Sequence, residues 1–260
     1  MPLTRIATAA VALPLFVLLI WLVPAPIFSA LAALATMWGV HEVLAMGVRP
    51  AVSVRISVAI TTLVAMAALL IGGGTLCWPL AWLAAVAGGV MVAMVEWGGR
   101  RPQKLVVVLG SLYVAIALPY LALVRNRPQG WRWLLLMVAI VVATDSAAYA
   151  AGSRWGRRKL LARVSPGKTL EGALGGLTGG LLAGLVLSQV FGVGWEPWWR
   201  TAGLALAISA VSQAGDLAES ALKRLRGAKD SGRLFPGHGG LLDRADSLML
   251  AALFTYYTVR

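Results

Sequence analysis

Residues 131–152 read WRWLLLMVAIVVATDSAAYAAG, and the only charged residues in this apolar run are Arg132 near its start and Asp145 deeper inside it. About 20 apolar residues are enough for a helix to cross the hydrocarbon core of a bilayer. Trp131 and Trp133 stand at one end of the run, where an indole ring favours the membrane interface. The stretch therefore predicts a transmembrane helix that carries an acid.

The composition of the whole chain agrees with a membrane environment. Its 260 residues are 59% hydrophobic and 13% charged, with a mean hydropathy of +0.80, whereas a soluble domain has about 25% charged residues. This excludes a soluble globular protein. A formal charge of +13 would suggest nucleic acid in a soluble protein, but here it favours anionic lipid or phosphate, so we expect no nucleic-acid partner. The single cysteine, Cys77, excludes an internal disulfide.

Cutting the chain at Pro, Gly and charge clusters predicts an all-α polytopic membrane protein with about nine transmembrane helices. We expect the first span to be retained rather than cleaved as a signal peptide, because it is long and a second span follows almost at once. The predicted spans are residues 6–23, 27–47, 52–71, 76–96, 104–124, 131–152, 169–194, 200–222 and 240–258.

The distribution of basic residues predicts the orientation, because Lys and Arg accumulate in cytoplasmic loops. Of the 23 bases, 17 fall on one side of the predicted spans and 5 on the other, while Arg244, just inside the last span, is counted with neither. The richer side has Arg5, Arg49, Arg55, Arg100, Arg101, Lys104 and the bases of 153–168 and 223–233, and the poorer side has Arg125, Arg127, Arg132, Arg200 and Arg260. We therefore expect a cytoplasmic amino terminus, an external carboxyl terminus and two large cytoplasmic loops.

The acidic residues are concentrated in the second half of the chain, which distinguishes a scaffold from a part that carries candidate site residues. Only Glu42 and Glu96 precede Asp145, and the other acids follow it. Acids inside apolar spans are costly if they face lipid, so we expect the later ones to face a shared polar cavity that opens to the cytoplasm. Residues 1–130 are then a transmembrane scaffold and residues 131–260 the catalytic half. Glu42, next to His41, is interpreted as an interfacial polar residue.

Helical spacing brings several of these acids together. Ser212, Asp216, Glu219 and Lys223 recur at intervals of four, three and four on one helical face. That face is consistent with a salt-bridge ladder, a proton path or a wall that binds metal and phosphate. Asp243 and Asp246 are three residues apart on the next span, and carboxylates of this kind are the ligands that Mg²⁺ takes together with water and phosphate oxygens.

Two loops carry candidate phosphate ligands. Residues 223–240 combine bases with glycines, which suits a polyphosphate, although a basic cytoplasmic loop alone would explain the bases. Within this loop His238 is either an acid or base or a structural hydrogen-bonding residue. In residues 165–172, Gly-Lys-Thr is not a P-loop, because Ala162 replaces the required glycine. A turn remains that carries Lys168 to a helix start, where anions bind.

One repeated pattern is interpreted as packing. Glycines recur every fourth residue at 172, 176, 180 and 184. Small residues at this interval let two helices approach closely in a membrane. A nucleotide-binding loop is the less favoured interpretation.

The stretch from Ser220 to Asp246, which includes K-D-S-G-R-L-F-P-G-H-G-G-L-L-D-R-A-D, resembles the signature of the phosphatidate cytidylyltransferase family. Residues 145–156 and 165–172 also resemble stretches of that family, in the same order and at similar distances. The first five predicted spans are similar to it only in being hydrophobic helices.

The resemblance implies that CTP and phosphatidic acid react to give CDP-diacylglycerol and pyrophosphate, with Mg²⁺ required. It implies an integral protein of the cell membrane, in bacteria the inner one, with the active site facing the cytoplasm. Metal binding is assigned to Asp216 and Asp243, with Asp246 and Asp145 as further candidates. The catalytic residues are then Asp216, Lys223, Lys229, Asp243 and Asp246, and the substrate-binding residues are Asp145, Ser165, Lys168, Thr169, Arg224, His238 and Arg244.

Three alternatives stay open at this point. The enzyme could instead use CTP on an isoprenoid lipid or a polyprenol, which the long signature disfavours. Intramembrane carboxylates also occur in proton- or cation-coupled transporters, although no repeated half is visible. The sequence leaves the oligomeric state open, and a homodimer is one alternative.

The basic-residue bias makes a topological prediction. Reporters fused after residues 74 and 162 should report opposite sides of the membrane, because the loop near residue 74 has no base and the loop near residue 162 is rich in them. A cytoplasmic signal at residue 74 would contradict the arrangement of nine spans.

Overall fold

The structure is a computed structural model that describes residues 2–46, 101–225, 227, 231, 232, 234 and 239–259, without the side chains of 2–10 and 101–108. It is mostly helical, which confirms the coarse fold prediction. The helices are α1 (Pro2–Leu22), α2 (Ala25–Ala45), α3 (Arg101–Ala117), α4 (Tyr120–Arg125), α5 (Gly130–Trp155), α6 (Leu170–Val190), α7 (Trp198–Leu225) and α8 (Leu242–Thr258). The predicted spans at 52–71 and 76–96 lie outside the described residues.

Three of the described helices, α2, α5 and α6, are long and apolar enough to cross a membrane. Large apolar side chains on the helix surfaces are exposed, among them Trp21 on α1 and Val186 on α6, which are 57% and 62% exposed. Exposed apolar side chains of this size are stable when lipid covers them. The full set of nine spans stays a prediction.

Two sequence-based expectations need correction. The predicted span 104–124 is divided into α3 and α4, which are separated by Leu118 and Pro119. Proline disfavours helical geometry in the residue before it and has no backbone N–H to donate. The chain also contains a two-stranded antiparallel sheet, β1 (Lys159–Leu161) and β2 (Ser165–Thr169), in the loop that was expected to be only a turn.

The chain forms two compact units, one of Met1–Ala122 with Leu222–Arg244 and the other of Leu123–Ala221 with Ala245–Arg260. These units do not coincide with the predicted division at residue 130. That division concerns function, and it stays a prediction.

In the first unit, glycines set the distances between helices. A Cβ added to Gly39 of α2 would lie 2.9 Å from Val114 Cγ1 of α3 and 3.0 Å from Leu242 Cδ2. A Cβ at Gly110 of α3 would lie 2.7 Å from Leu222 Cδ2. The small residues therefore let α2, α3 and the start of α8 pack closely.

In the second unit, the glycine column of α6 is buried, and Ser188 continues it one turn later. A Cβ at Gly176 would lie 3.0 Å from the Thr144 carbonyl oxygen of α5, and one at Gly180 would meet Thr144 and Ser209. The Thr144 hydroxyl also donates to Ser209 Oγ across 2.8 Å. The packing interpretation of the column is confirmed, and α5, α6 and α7 meet along it.

This packing can be tested with paired glycine substitutions. Gly184→Ala places a methyl group against Ala205, whereas a Cβ at Gly203 meets nothing within 4 Å. We expect Gly184→Ala to destabilise the fold by about 1–3 kcal/mol through overpacking. Gly203→Ala should be neutral or stabilising, because Ala favours a helix by about 1 kcal/mol over Gly. Thermal unfolding midpoints in detergent measure both, and equal midpoints would contradict close packing at Gly184.

Candidate functional site

The hairpin fixes the position of Lys168, which lies in β2 one residue before the N-cap of α6. The cap is Thr169, which is 5% exposed and whose hydroxyl oxygen accepts from Gly172 N over 3.1 Å. The carboxylate of Glu171 accepts from the backbone N–H groups of Arg157 and Arg158 at 3.0 and 3.2 Å. The strand that carries Lys168 is therefore fastened at its helix end and at the segment before β1.

Lys168 forms an ion pair with Asp216 of α7. Both side chains are 27% exposed, so a molecule in solution can reach them. The hydroxyl of Ser220, one turn further along α7, donates to Asp216 Oδ1 over 3.3 Å. The structure thus brings together a cation predicted to bind phosphate and a carboxylate predicted to bind metal.

More carboxylates surround this ion pair within the second unit. Asp145 of α5 lies near both members of the pair. Its carboxylate is repelled by that of Asp216 and attracted by the ammonium group of Lys168. Asp246 of α8 is repelled in the same way by Asp216, Asp145 and the buried Glu219. Two acids, Asp216 and Asp145, therefore lie near Lys168, and Asp246 lies near both of them and near Glu219. A bound cation would offset the repulsion among these carboxylates.

Asp243 belongs to the first unit and has a different environment. Its Oδ1 accepts from Lys223 Nζ at 2.7 Å, and its Oδ2 accepts from the backbone N–H groups of Ser231 and Gly240 at 2.9 and 2.8 Å. Gly239 has a φ of +78°, and a Cβ there would meet Asp243 Oδ2. The glycines before α8 therefore let the backbone wrap around this carboxylate.

The structure also shows one acid whose role the sequence did not reveal. Glu42 of α2 is 4% exposed, and its carboxylate accepts from Leu241 N and Leu242 N. The interpretation of Glu42 as an interfacial polar residue is therefore wrong. A lone acid in an apolar helix was the only signal, and the backbone groups that bind it lie about 200 residues further along the chain.

The remaining predicted residues are dispersed. Ser165 is half-buried at the start of β2, and Arg224 and Arg244 are exposed in the last turn of α7 and the first turn of α8. Lys229 and His238 lie outside the described residues. Asp216 and Asp243 belong to different units, so their joint binding of one ion stays a prediction.

The donor chemistry fits a hard cation. Asp216 and its neighbours offer oxygen ligands, and Mg²⁺ needs only one or two carboxylates because water and substrate phosphates complete its shell. Within the described part of the chain, no group of three His, Cys, Asp or Glu side chains is arranged as a ready metal site. At Asp243, Oδ1 contacts Lys223 Nζ, while Oδ2 lies within hydrogen-bond distance of Ser231 N, Ser231 Oγ and Gly240 N.

The family model and the related proteins that match this chain indicate the same family. The sequence model of the Cytidylyltransferase family matches residues 3–260. The chain is 41% identical over 172 residues to the phosphatidate cytidylyltransferase of Brucella suis biovar 1 (strain 1330), a match covering 66% of this chain and 62% of the relative. It is 37% identical over 155 residues to that of Bacillus subtilis (strain 168), covering 58% of this chain and 56% of the relative. The matches thus span less than two thirds of the length of these relatives.

Proposed function

The chain belongs to the cytidylyltransferase family, and from this premise we propose that it transfers the cytidylyl group of CTP to phosphatidic acid. The products are CDP-diacylglycerol and pyrophosphate. The observation that carries the proposal is the accessible ion pair between Lys168 and Asp216, in which a phosphate-binding cation lies beside carboxylates suited to a metal. The names of the relatives support the same substrate.

The reaction needs little acid–base chemistry from the protein. The phosphomonoester of the lipid is already largely ionised near neutral pH, since its second pKa is about 6 by analogy with phosphorylated side chains. One of its oxygens attacks the α-phosphorus of CTP and forms a new O–P bond, while the bond from the α-phosphorus to the bridging oxygen breaks. Pyrophosphate leaves with that oxygen, so no covalent enzyme intermediate is required.

Catalysis then consists of positioning and charge neutralisation. Lys168 binds a substrate phosphate beside the start of α6, where the positive end of the helix dipole also favours an anion. Lys223 and Arg224, at the end of α7, and Lys229 in the loop that follows, neutralise the departing pyrophosphate. The fixed hairpin helps Lys168, because its strand does not need to be ordered when the substrate binds.

We propose that Mg²⁺ is bound by Asp216, Asp243 and Asp246, with Asp145 nearby. When bound, the metal supplies positive charge to the triphosphate oxygens. When no metal is bound, Lys168 balances the charge of Asp216.

The substrates also set the location of the reaction. Phosphatidic acid stays in the bilayer and CTP is a soluble nucleotide, so the polar cavity must open at a membrane surface. The bias of basic residues favours the cytoplasmic surface, which in a bacterial cell would be that of the inner membrane.

Turnover by purified protein tests the proposal directly. Protein in detergent is incubated with Mg²⁺, phosphatidic acid and CTP labelled at the α-phosphate. We expect label in an organic-soluble product only when the lipid is present. No product, or a product made only with a polyprenol or an isoprenoid lipid, would contradict the proposed substrate.

Lys168 gives a sharper prediction. Lys168→Ala should lower kcat/KM for CTP or for the lipid by roughly 100-fold, the effect typical of losing one electrostatic contact to a reacting group. The folded yield should change little, because a partly exposed ion pair contributes about 1 kcal/mol at most. Steady-state kinetics and the thermal midpoint measure the two effects.

The matched control is Lys159→Ala, which removes an exposed base from the facing strand of the same hairpin. Its kinetics should stay close to those of the unmodified chain. Equal losses of kcat/KM in both variants, or unchanged kinetics in Lys168→Ala, would contradict phosphate binding by Lys168. The residue would then be an ordinary basic residue of a cytoplasmic loop.

The metal assignment makes a separate prediction. Asp216→Asn and Asp243→Asn keep the side-chain shape but remove the charge, so each should lower Mg²⁺-dependent turnover by about 100-fold or more. If both residues serve one chemical step, the double variant should be scarcely worse than the worse single variant. Initial rates over a Mg²⁺ titration measure this, with Glu196→Gln, an exposed acid between α6 and α7, as the control.

A structural role would give the opposite pattern. If Asp216 and Asp243 serve only as partners of Lys168 and Lys223, the Asn variants should lose thermal stability and yield first. The protein that survives purification would then have nearly full specific activity and an unaltered Mg²⁺ dependence, which would contradict the metal assignment.

A further inference from the structure

Glu42 is the buried centre of a hydrogen-bond network in the first unit. Its Oε1 accepts from Trp38 Nε1 at 3.0 Å and from Leu241 N at 2.9 Å. Its Oε2 accepts from Ser231 Oγ and from Leu242 N, both at 3.0 Å. A carboxylate has about four lone-pair sites. The two backbone N–H groups and Trp38 use three of them, and the single hydroxyl hydrogen of Ser231 is shared between Glu42 and Asp243 Oδ2.

Two of these contacts cap helix α8. The first N–H groups of a helix have no partner inside the helix, and the carboxylate of Glu42 accepts from the backbone N–H of Leu242, the first residue of α8, and of Leu241 before it. Negative charge at this end of a helix is also favoured by the helix dipole. A side chain from α2 therefore fixes where α8 begins.

The same carboxylate requires glycine in the loop before α8. A Cβ at Gly240 would meet both Glu42 Oε2 and Ser231 Oγ, and a Cβ at Gly232 would lie 2.7 Å from Glu42 Oε1. The loop backbone can therefore pass this close to Glu42 only where side chains are absent. The backbone positions of Gly232 and Gly240 and the position of Glu42 therefore depend on each other.

Ser231 connects Glu42 to the predicted catalytic residues. Its Oγ lies 3.0 Å from Glu42 Oε2 and 2.9 Å from Asp243 Oδ2, and its backbone N–H donates to the same Asp243 oxygen over 2.9 Å. The other oxygen of Asp243 accepts from Lys223 over 2.7 Å. A continuous chain of contacts thus runs from Glu42 through Ser231 to Asp243 and Lys223.

We propose that Glu42 is a positioning residue for cytidylyl transfer, which acts by holding Ser231, residues 239–241 and the start of α8 so that Asp243 and Lys223 face the substrate correctly. Glu42 itself contacts no reacting atom. The proposal rests on the proposed function, in which Asp243 and Lys223 take part in the reaction.

The principal test is Glu42→Gln, which keeps the side-chain size but places an amide NH₂ against at least one backbone or hydroxyl donor. We expect kcat at saturating CTP and lipid to fall about tenfold or more, with a smaller change in the two KM values, because the substrates still bind while the reacting groups are misaligned. The matched control is Thr36→Val on the same helix, whose buried hydroxyl donates only to Ala32 O within α2.

Thr36→Val should keep its kcat per folded molecule even if its thermal midpoint falls as far as that of Glu42→Gln. If Glu42→Gln yields no folded protein, Ser231→Ala is used, because it removes the hydroxyl between Glu42 and Asp243 and leaves the backbone contacts of Glu42 in place. It should also lower kcat. A folded variant of either kind with full kcat, or an equal loss in Thr36→Val, would overturn the proposal.

Hydrogen exchange separates this inference from the proposed function. Peptides covering 231–242 should exchange faster in Glu42→Gln than in the unmodified chain, and this readout needs no turnover. Unchanged exchange would overturn the positioning role. If the unmodified chain makes no product, the proposed function fails while the exchange result still tests how Glu42 holds the loop.

Discussion

A carboxylate inside an apolar helical chain is stable only when other groups of the protein supply hydrogen bonds or opposite charge. Glu42 meets this requirement with backbone and side-chain donors, and Asp243 meets it with Lys223 and two backbone N–H groups. Apart from Trp38 of α2, which donates to Glu42, these groups come from the segment before α8, from the first residue of α8 and from the end of α7. The hydrogen bonds that compensate these two carboxylates therefore also fix the backbone of Ser231 and of residues 240–242.

In the second unit Lys168 supplies the charge opposite to Asp216, and close helix packing holds the elements that carry these two residues. The glycines of α6 allow α5 and α7 to approach, and the hairpin is fastened to the start of α6 by Thr169 and Glu171. Lys168 is therefore held where it balances Asp216. Because the charges near Asp216 are mostly negative, the arrangement suits a reaction in which a cation and a polyphosphate bind together.

Glycine has two separate uses in this protein. In α6 the absence of a side chain allows contact between helices, whereas at Gly232 and Gly240 it allows the backbone to contact a buried carboxylate. The first use follows a regular interval and is recognisable in the sequence. The second depends on Glu42, which lies far away in the chain, so the same residue type gives no local sign of its role.

The sequence by itself determined the class of protein. The length of the apolar segments, the low fraction of charged residues and the spacing of glycines are local properties, and they decide whether helices can insert and pack in a bilayer. It also indicated the family through the stretch from Ser220 to Asp246. The break of a predicted span at residues 118 and 119 follows from Pro119, which is a local signal in the sequence. Only the tertiary structure decided that Lys168 lies beside Asp216 and that Glu42 is buried. These outcomes depend on contacts between residues tens to hundreds of positions apart, and such contacts have no periodicity or spacing that a sequence pattern can show.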